Sequence, residues 1–162
     1  MVVIKANWDG AVDKEGKKVG LGVVIRNEEG EIMAAVGEQK SFISDPAIAE
    51  VYALRKAMEL CRDLNFGRVI FEGDVQVIVN VVNEEEEDLS SYGCVIEDAK
   101  KLLKGRSQWS VKFVNRKANE AAHYLAKEAL SLCFENVWIE EAPVCIESIL
   151  LKEKLCNAVL DQ

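Results

Sequence analysis

The 162-residue chain predicts an α/β domain: a mixed five-stranded sheet, three antiparallel strands followed by two parallel ones, flanked by helices. Three observations predict it. Segments 2–8, 19–26 and 31–37 are rich in β-branched residues and follow one another through short turns, which makes an antiparallel meander. A helix signal opens directly after them, at Asp45-Pro46. Beyond it, strands and helices alternate, and a strand joined to the next through a crossover helix pairs in parallel with a right-handed connection.

Each element has its own reason. V-V-I-K-A-N-W (2–8) is a strand ended by Asp9-Gly10, and the polar stretch 11–18 is a turn. V-G-L-G-V-V-I-R (19–26) is a second strand whose glycines imply close backbone neighbours. Asn27-Glu28-Glu29-Gly30 is a tight turn, and 31–37 returns as the third strand. Asp45 is a good N-cap and Pro46 a good first residue for a helix running to Asp63. Phe66-Gly67 turns the chain into a fourth strand, R-V-I-F-E, which Gly73-Asp74 ends. V-Q-V-I-V-N-V-V then reads as a short helix, although periodicity alone permits a strand. An acidic loop (83–91), a helix (92–104), a fifth strand (108–114) and a helix (118–132) complete the first unit, residues 1–132. Residues 133–162 form a C-terminal extension, either packed on the domain or binding a protein partner. Within it, 146–160 reads as an amphipathic helix with Ile146, Ile149, Leu150 and Leu155 on its apolar side.

Composition bounds the function. Half of the chain is apolar, enough for a sizeable core, and no apolar run approaches the roughly 18 residues of a membrane span. The opening M-V-V-I-K-A-N-W-D-G lacks a signal-peptide layout. Five cysteines (61, 94, 133, 145, 156) include no C-x-x-C pair, which points to reduced thiols in an intracellular protein. A net charge of −8 argues against a strongly basic nucleic-acid surface.

Three carboxylates carry most of the remaining information: Asp9 and Asp74 at strand ends, and Glu50 in the first turns of a helix. On a helical wheel of residues 46–63, Arg55, Lys56, Glu59, Arg62 and Asp63 share one side. Glu50 falls opposite, among Leu54, Ala57 and Cys61. A carboxylate on a buried face is costly unless a cation or several donors meet it. A divalent ion held jointly with Asp9 and Asp74 meets that need. Taken singly, each residue has a plainer reading: Asp9-Gly10 as a turn, Asp74 as a helix cap, and Glu50 satisfied by a buried lysine or arginine.

The segments N-W-D-G-A, A-I-A-E-V-Y-A-L-R-K-A, F-E-G-D-V-Q-V-I-V-N and V-N-R-K-A-N-E-A-A-H-Y-L-A resemble the ribonuclease H-like domain of plant retroelement-derived, reverse-transcriptase-like proteins. The resemblance covers residues 3–132, and the tail N-V-W-I-E-E-A-P is similar to the same group. It implies a ribonuclease H-like fold and hydrolysis of the RNA strand of an RNA–DNA hybrid with two divalent ions, Mg2+ or Mn2+. By resemblance, Asp9 bridges both ions, Glu50 and Asp74 hold one side, and His123 stands at the fourth position, where the hydrolases usually have aspartate. The resemblance also places Gly10, Gln76, Arg116 and Asn119 at the substrate, with Gly10 letting its backbone approach closely.

The wheel of 118–132 sets His123 roughly 140° from the stripe Ala118, Ala122, Leu125, Ala129 and Leu132, the place of a solvated side chain. Its position near the helix start still allows it to reach a neighbouring site. Other departures concern grip. The loop before this helix, V-N-R-K-A-N, lacks the histidine of many family enzymes, and N-E-E-E-E-D-L-S-S stands where others carry a basic protrusion. Pro46 and Ala47 replace the asparagines that some members place before the helix glutamate. Lys100, Lys101, Lys104 and Arg106 offer a phosphate track or ordinary compensation of a helix dipole. Three function classes follow: a ribonuclease H with a D-E-D-H site, a non-catalytic module of the same fold binding nucleic acid or protein, and an exonuclease or integrase relative. The three carboxylates favour the first, the acidity and missing grip favour the second, and the phrases around Gly73-Asp74 and Asn119–His123 fit the third less well.

Overall fold

The computed structural model describes residues 2–87 and 93–160, with the backbone alone for 157–160. Period-two alternation builds its centre. In β1 (Ile4–Asp13), Ile4, Ala6 and Trp8 enter the larger apolar cluster, which leaves Asn7 and Asp9 on the opposite face. β2 (Lys18–Arg26) sends Val19, Leu21, Val23 and Ile25 into the same cluster, and β3 (Ile32–Ser41) completes the antiparallel meander. β4 (Val69–Gly73) pairs parallel with β1, and β5 (Trp109–Phe113) pairs parallel with β4.

Two expectations are corrected here. Asp9 does not end its strand. The last parallel rung joins Asn7 to Glu72, after which β1 runs on to Asp13 paired with β2 alone. Residues 10–13 pair with 18–21 to form that arm, whose first strand the sequence reads as part of a turn over 11–18 because the polar run Asp13–Lys18 dominates it. The sheet also has six strands rather than five, in the order β5-β4-β1-β2-β3-β6. β6 (Asn136–Ile139) pairs antiparallel with the open edge of β3. Edge pairing, rather than apolar alternation, makes N-V-W-I a strand.

The helices cover both faces. On one lie α1 (Pro46–Asp63), α2 (Gln76–Asn83) and α3 (Gly93–Lys104), whose Leu54, Ile78 and Ile96 join the larger cluster. Asp45 caps α1 by accepting from the Ala47 amide at 2.9 Å, with Pro46 in the first turn, as the sequence predicts. Residues 84–87 follow α2 irregularly; 88–91 of the expected acidic loop, and Tyr92, lie outside the described residues. On the other face, a 3-10 turn (Arg116–Asn119) leads into α4 (Glu120–Ala129), which packs with Val24, Ala35 and Ile146. α5 (Glu147–Leu160) follows, with Ile149 and Leu150 packed on that smaller cluster while Leu151 and Leu155 are exposed. No helix among the described residues is long and apolar enough to cross a membrane.

The two glycines of β2 let α4 lie directly on the sheet. A Cβ at Gly20 would stand 2.1 Å from the Ala126 carbonyl oxygen, and one at Gly22 would stand 2.5 Å from that of Ala122. Both obstacles are backbone and cannot rotate away. Gly20→Ala is therefore expected to destabilise the fold by about 1–3 kcal/mol, the usual cost of overpacking, read as a lower urea midpoint. An unchanged midpoint would mean that α4 does not rest on this strand.

Candidate active site

Three elements converge just past the last parallel rung of β1 and β4. Asp9 comes from β1, Asp74 follows β4, and Glu50 projects from the second turn of α1. Each offers a carboxylate oxygen, and these atoms lie within 4.8 Å of one another. The wheel placed Glu50 correctly: it is 6% exposed and accepts a hydrogen bond from the Gly10 amide at 3.1 Å. Gly10 serves this packing. A Cβ there would meet the Ala49 backbone carbon at 2.8 Å, so α1 lies directly against this strand.

Electrostatics make the cluster costly as it stands. Burial, then repulsion from the Asp9 charge, pushes Glu50 up to about 10. Asp74 is also raised, by burial and then by Asp9, with Arg116, Asn119 and His123 acting in the other direction. Asp9 Oδ1, Glu50 Oε2 and both Asp74 carboxylate oxygens are buried without a hydrogen-bond partner. An orphaned oxygen on each of three carboxylates fits a divalent cation with a preference for hard oxygen ligands.

Two further side chains enter the cluster. His123 on α4 turns its Nδ1 to within 2.8 Å of Asp9 Oδ2, and its side chain is 23% exposed. The rotation that takes His123 off the apolar stripe of α4 carries it toward β1, not into solvent. Arg116 places Nε 2.8 Å from Asp74 Oδ2 and Nη1 3.7 Å from Asp9 Oδ2, and Nη1 also contacts His123 Nδ1.

The other predicted residues differ in exposure. Gln76 is exposed on α2 and donates to Asn80 of its own helix at 2.8 Å. Asn119 is wholly buried: its amide donates to the Trp8 carbonyl at 2.9 Å and its carbonyl accepts from Asn7 at 3.1 Å. It braces the strand that carries Asp9 and offers no surface to a substrate. Lys100 is buried too, donating to the Glu86 carbonyl at 2.5 Å, so it drops out of the expected phosphate track. Sequence reasoning missed Asn7, which accepts from Arg26 Nη2 at 2.9 Å and donates toward Glu72 and Asn119. Its signal was its place two residues before Asp9, on the same strand face.

The pattern of the reverse transcriptase-like family matches residues 7–129, which include all five residues of the cluster. The chain belongs to that family. This family member has the ribonuclease H fold. It is 30% identical over 131 residues to a ribonuclease HI of Halobacterium salinarum, a match covering 78% of this chain and 64% of that protein. The crystal structure of RNase H1 from the same archaeon superposes with a TM-score of 0.72 at 29% identity, over 79% of this chain and 97% of the other. LC11-RNase H1, isolated from compost and solved with an RNA/DNA hybrid, gives a TM-score of 0.67 at 19% identity, over 80% of this chain and 96% of the other.

Proposed function

We propose that the protein is a ribonuclease H that hydrolyses the RNA strand of RNA–DNA hybrids with two divalent ions held by Asp9, Glu50, Asp74 and His123. One observation carries the reading: three buried carboxylates gathered within 4.8 Å, each with an oxygen that has no hydrogen-bond partner. When bound, such ions activate a water and neutralise charge on the leaving oxygen. Asp9, central to the cluster, would bridge them, with Glu50 and Asp74 on one side. Carboxylate oxygens suit Mg2+, whereas the imidazole of His123 shifts the preference toward Mn2+. His123 supplies either that softer ligand or a group for proton transfer near neutral pH.

RNA/DNA hybrids are bound in the structures of LC11-RNase H1 and of a foamy viral protease-reverse transcriptase, which supports the same substrate class here. Recognition would rest on minor-groove shape and 2′-hydroxyls rather than on sequence. With a net charge of −8, binding starts weak and falls steeply with salt. From its motif segments we read the domain as plant retroelement-derived, and from its five cysteines without a C-x-x-C pair as intracellular. Residues 1–132 are the unit that carries the site, with 133–162 as an extension whose exposed Val137, Ile139, Leu151 and Leu155 suit a protein partner.

The acidic balance keeps a second reading, a silent module that binds hybrid or protein without cutting. Purified protein with a labelled hybrid, in Mg2+ and then in Mn2+, separates the two. Cleavage of the RNA strand is expected in both, faster with Mn2+. His123→Asp adds a hard anionic ligand and is expected to raise the Mg2+ rate more than the Mn2+ rate. Binding without cleavage in either metal would establish the module, and equal cutting of duplex DNA would refute the substrate class.

A further inference from the structure

Arg116 is a poor permanent partner for the charges that it meets. Its Nε lies 2.8 Å from Asp74 Oδ2, yet both Asp74 oxygens lack a directed hydrogen bond. Its Nη1 contacts His123 Nδ1, and the same ring nitrogen lies 2.8 Å from Asp9 Oδ2. One imidazole nitrogen either donates to Asp9 or accepts from Arg116; it does not do both. The three groups therefore have two satisfied arrangements, one with the guanidinium in the cluster and one with it out. Leaving is easy, since the Arg116 side chain is 57% exposed, against 1% for Asp9 and 3% for Asp74. Staying is costly once an ion arrives, because the guanidinium and a divalent cation then share the same carboxylates at short range.

We propose that Arg116 is a tethered cation that occupies the carboxylate cluster of the ion-free protein and has to swing out as divalent ions load, so that this residue sets the affinity of the site for them. The proposal rests on the divalent-ion reading above. It makes ion binding a displacement: Asp74 and Asp9 exchange a monovalent, poorly directed partner for a divalent one, and His123 Nδ1 is released from the guanidinium. It also assigns Arg116 a role that differs from that of Lys117, its exposed neighbour, which makes no contact with the cluster among the described residues.

Titration calorimetry of the full chain with MgCl2 or MnCl2 alone, with no nucleic acid present, tests it. Arg116→Met keeps the length of the side chain and removes its charge; Lys117→Met makes the same change in net charge one residue away. Arg116→Met is expected to bind the ion about tenfold more tightly than wild type, since a like charge at contact distance is gone, and Lys117→Met to stay close to wild type. In the ion-free state Arg116→Met should melt lower, and Mg2+ should raise its melting temperature more than it raises that of wild type. Should Arg116→Met not fold, Arg116→Gln carries the same comparison. Equal or weaker binding by the Arg116 variant overturns the proposal alone, as does equal tightening in both variants, which would make the effect one of overall charge. Absence of binding in wild type and variants alike overturns the divalent-ion reading, and the proposal with it.

Discussion

Asp9→Asn is expected to lower hybrid cleavage by roughly a thousandfold or more, a loss of several kcal/mol of ion-supplied stabilisation of the transition state. Asp9 stands at the middle of the cluster: its Oδ2 meets His123 and Arg116, its buried Oδ1 has no partner, and its charge raises both Glu50 and Asp74. Asparagine keeps the shape but replaces one anionic oxygen with an NH2 donor, which repels a cation. The fold should survive, because removing one of three crowded carboxylates relieves repulsion. Single-turnover cleavage, Mg2+ calorimetry and thermal melting together check this. Activity within tenfold of wild type at an unchanged ion affinity would remove Asp9 from the site. Lost activity with a collapsed melting temperature would make its role structural.

The parts of the fold legible in the sequence are those with strong local causes. Asp45-Pro46 carries a cap and a first helical residue side by side, and the helix of V-Q-V-I-V-N-V-V is carried by Ile78, Val79 and Val82, buried on one face. Gly20 and Gly22 alternate with core residues, so their role beneath a helix follows from period two. What stayed hidden depends on partners distant in the chain. The arm of β1 beyond Asp9 is too short and mixed to read as a strand and exists because β2 pairs with it. β6 exists because β3 has a free edge.

The site divides in the same way. Glu50 was legible because an ionisable group on an apolar helix face contradicts its surroundings. Asn119 and Gln76 both have side-chain amides, and nothing local says that one is buried under Trp8 while the other bonds along its own helix. Arg116 and His123 are seven residues apart, on a 3-10 turn and a helix, and only the path of the chain around Asn119 brings both to Asp9. Cationic residues near a carboxylate site read from sequence as substrate contacts; their position inside the cluster is a tertiary fact.

Glu50→Gln is expected to stabilise the ion-free protein at neutral and alkaline pH while abolishing its stabilisation by Mg2+. Glu50 is pushed up to about 10 in the fold, from 4.5 as an unperturbed side chain. Between those values the unfolded chain has released this proton and the folded chain still holds it. The folded state therefore binds more protons, and stability falls as pH rises through that window. Asp74, raised in the same direction, adds to the slope. By pH 8 the difference is on the order of a few kcal/mol. Glutamine is neutral at every pH, mimics the protonated acid and keeps an oxygen for the Gly10 amide, so the variant should lose most of the slope. Urea unfolding at pH 5.5, 7 and 8.5, with and without Mg2+, reads both halves. In wild type, Mg2+ should offset the alkaline loss, since a divalent ion favours the ionised carboxylate and reverses the sign of its contribution. In Glu50→Gln, Mg2+ should change little. Equal slopes in the two proteins without Mg2+ would show that Glu50 is not held protonated by its burial, and the cost that an ion is invoked to relieve would have to lie with Asp9 and Asp74.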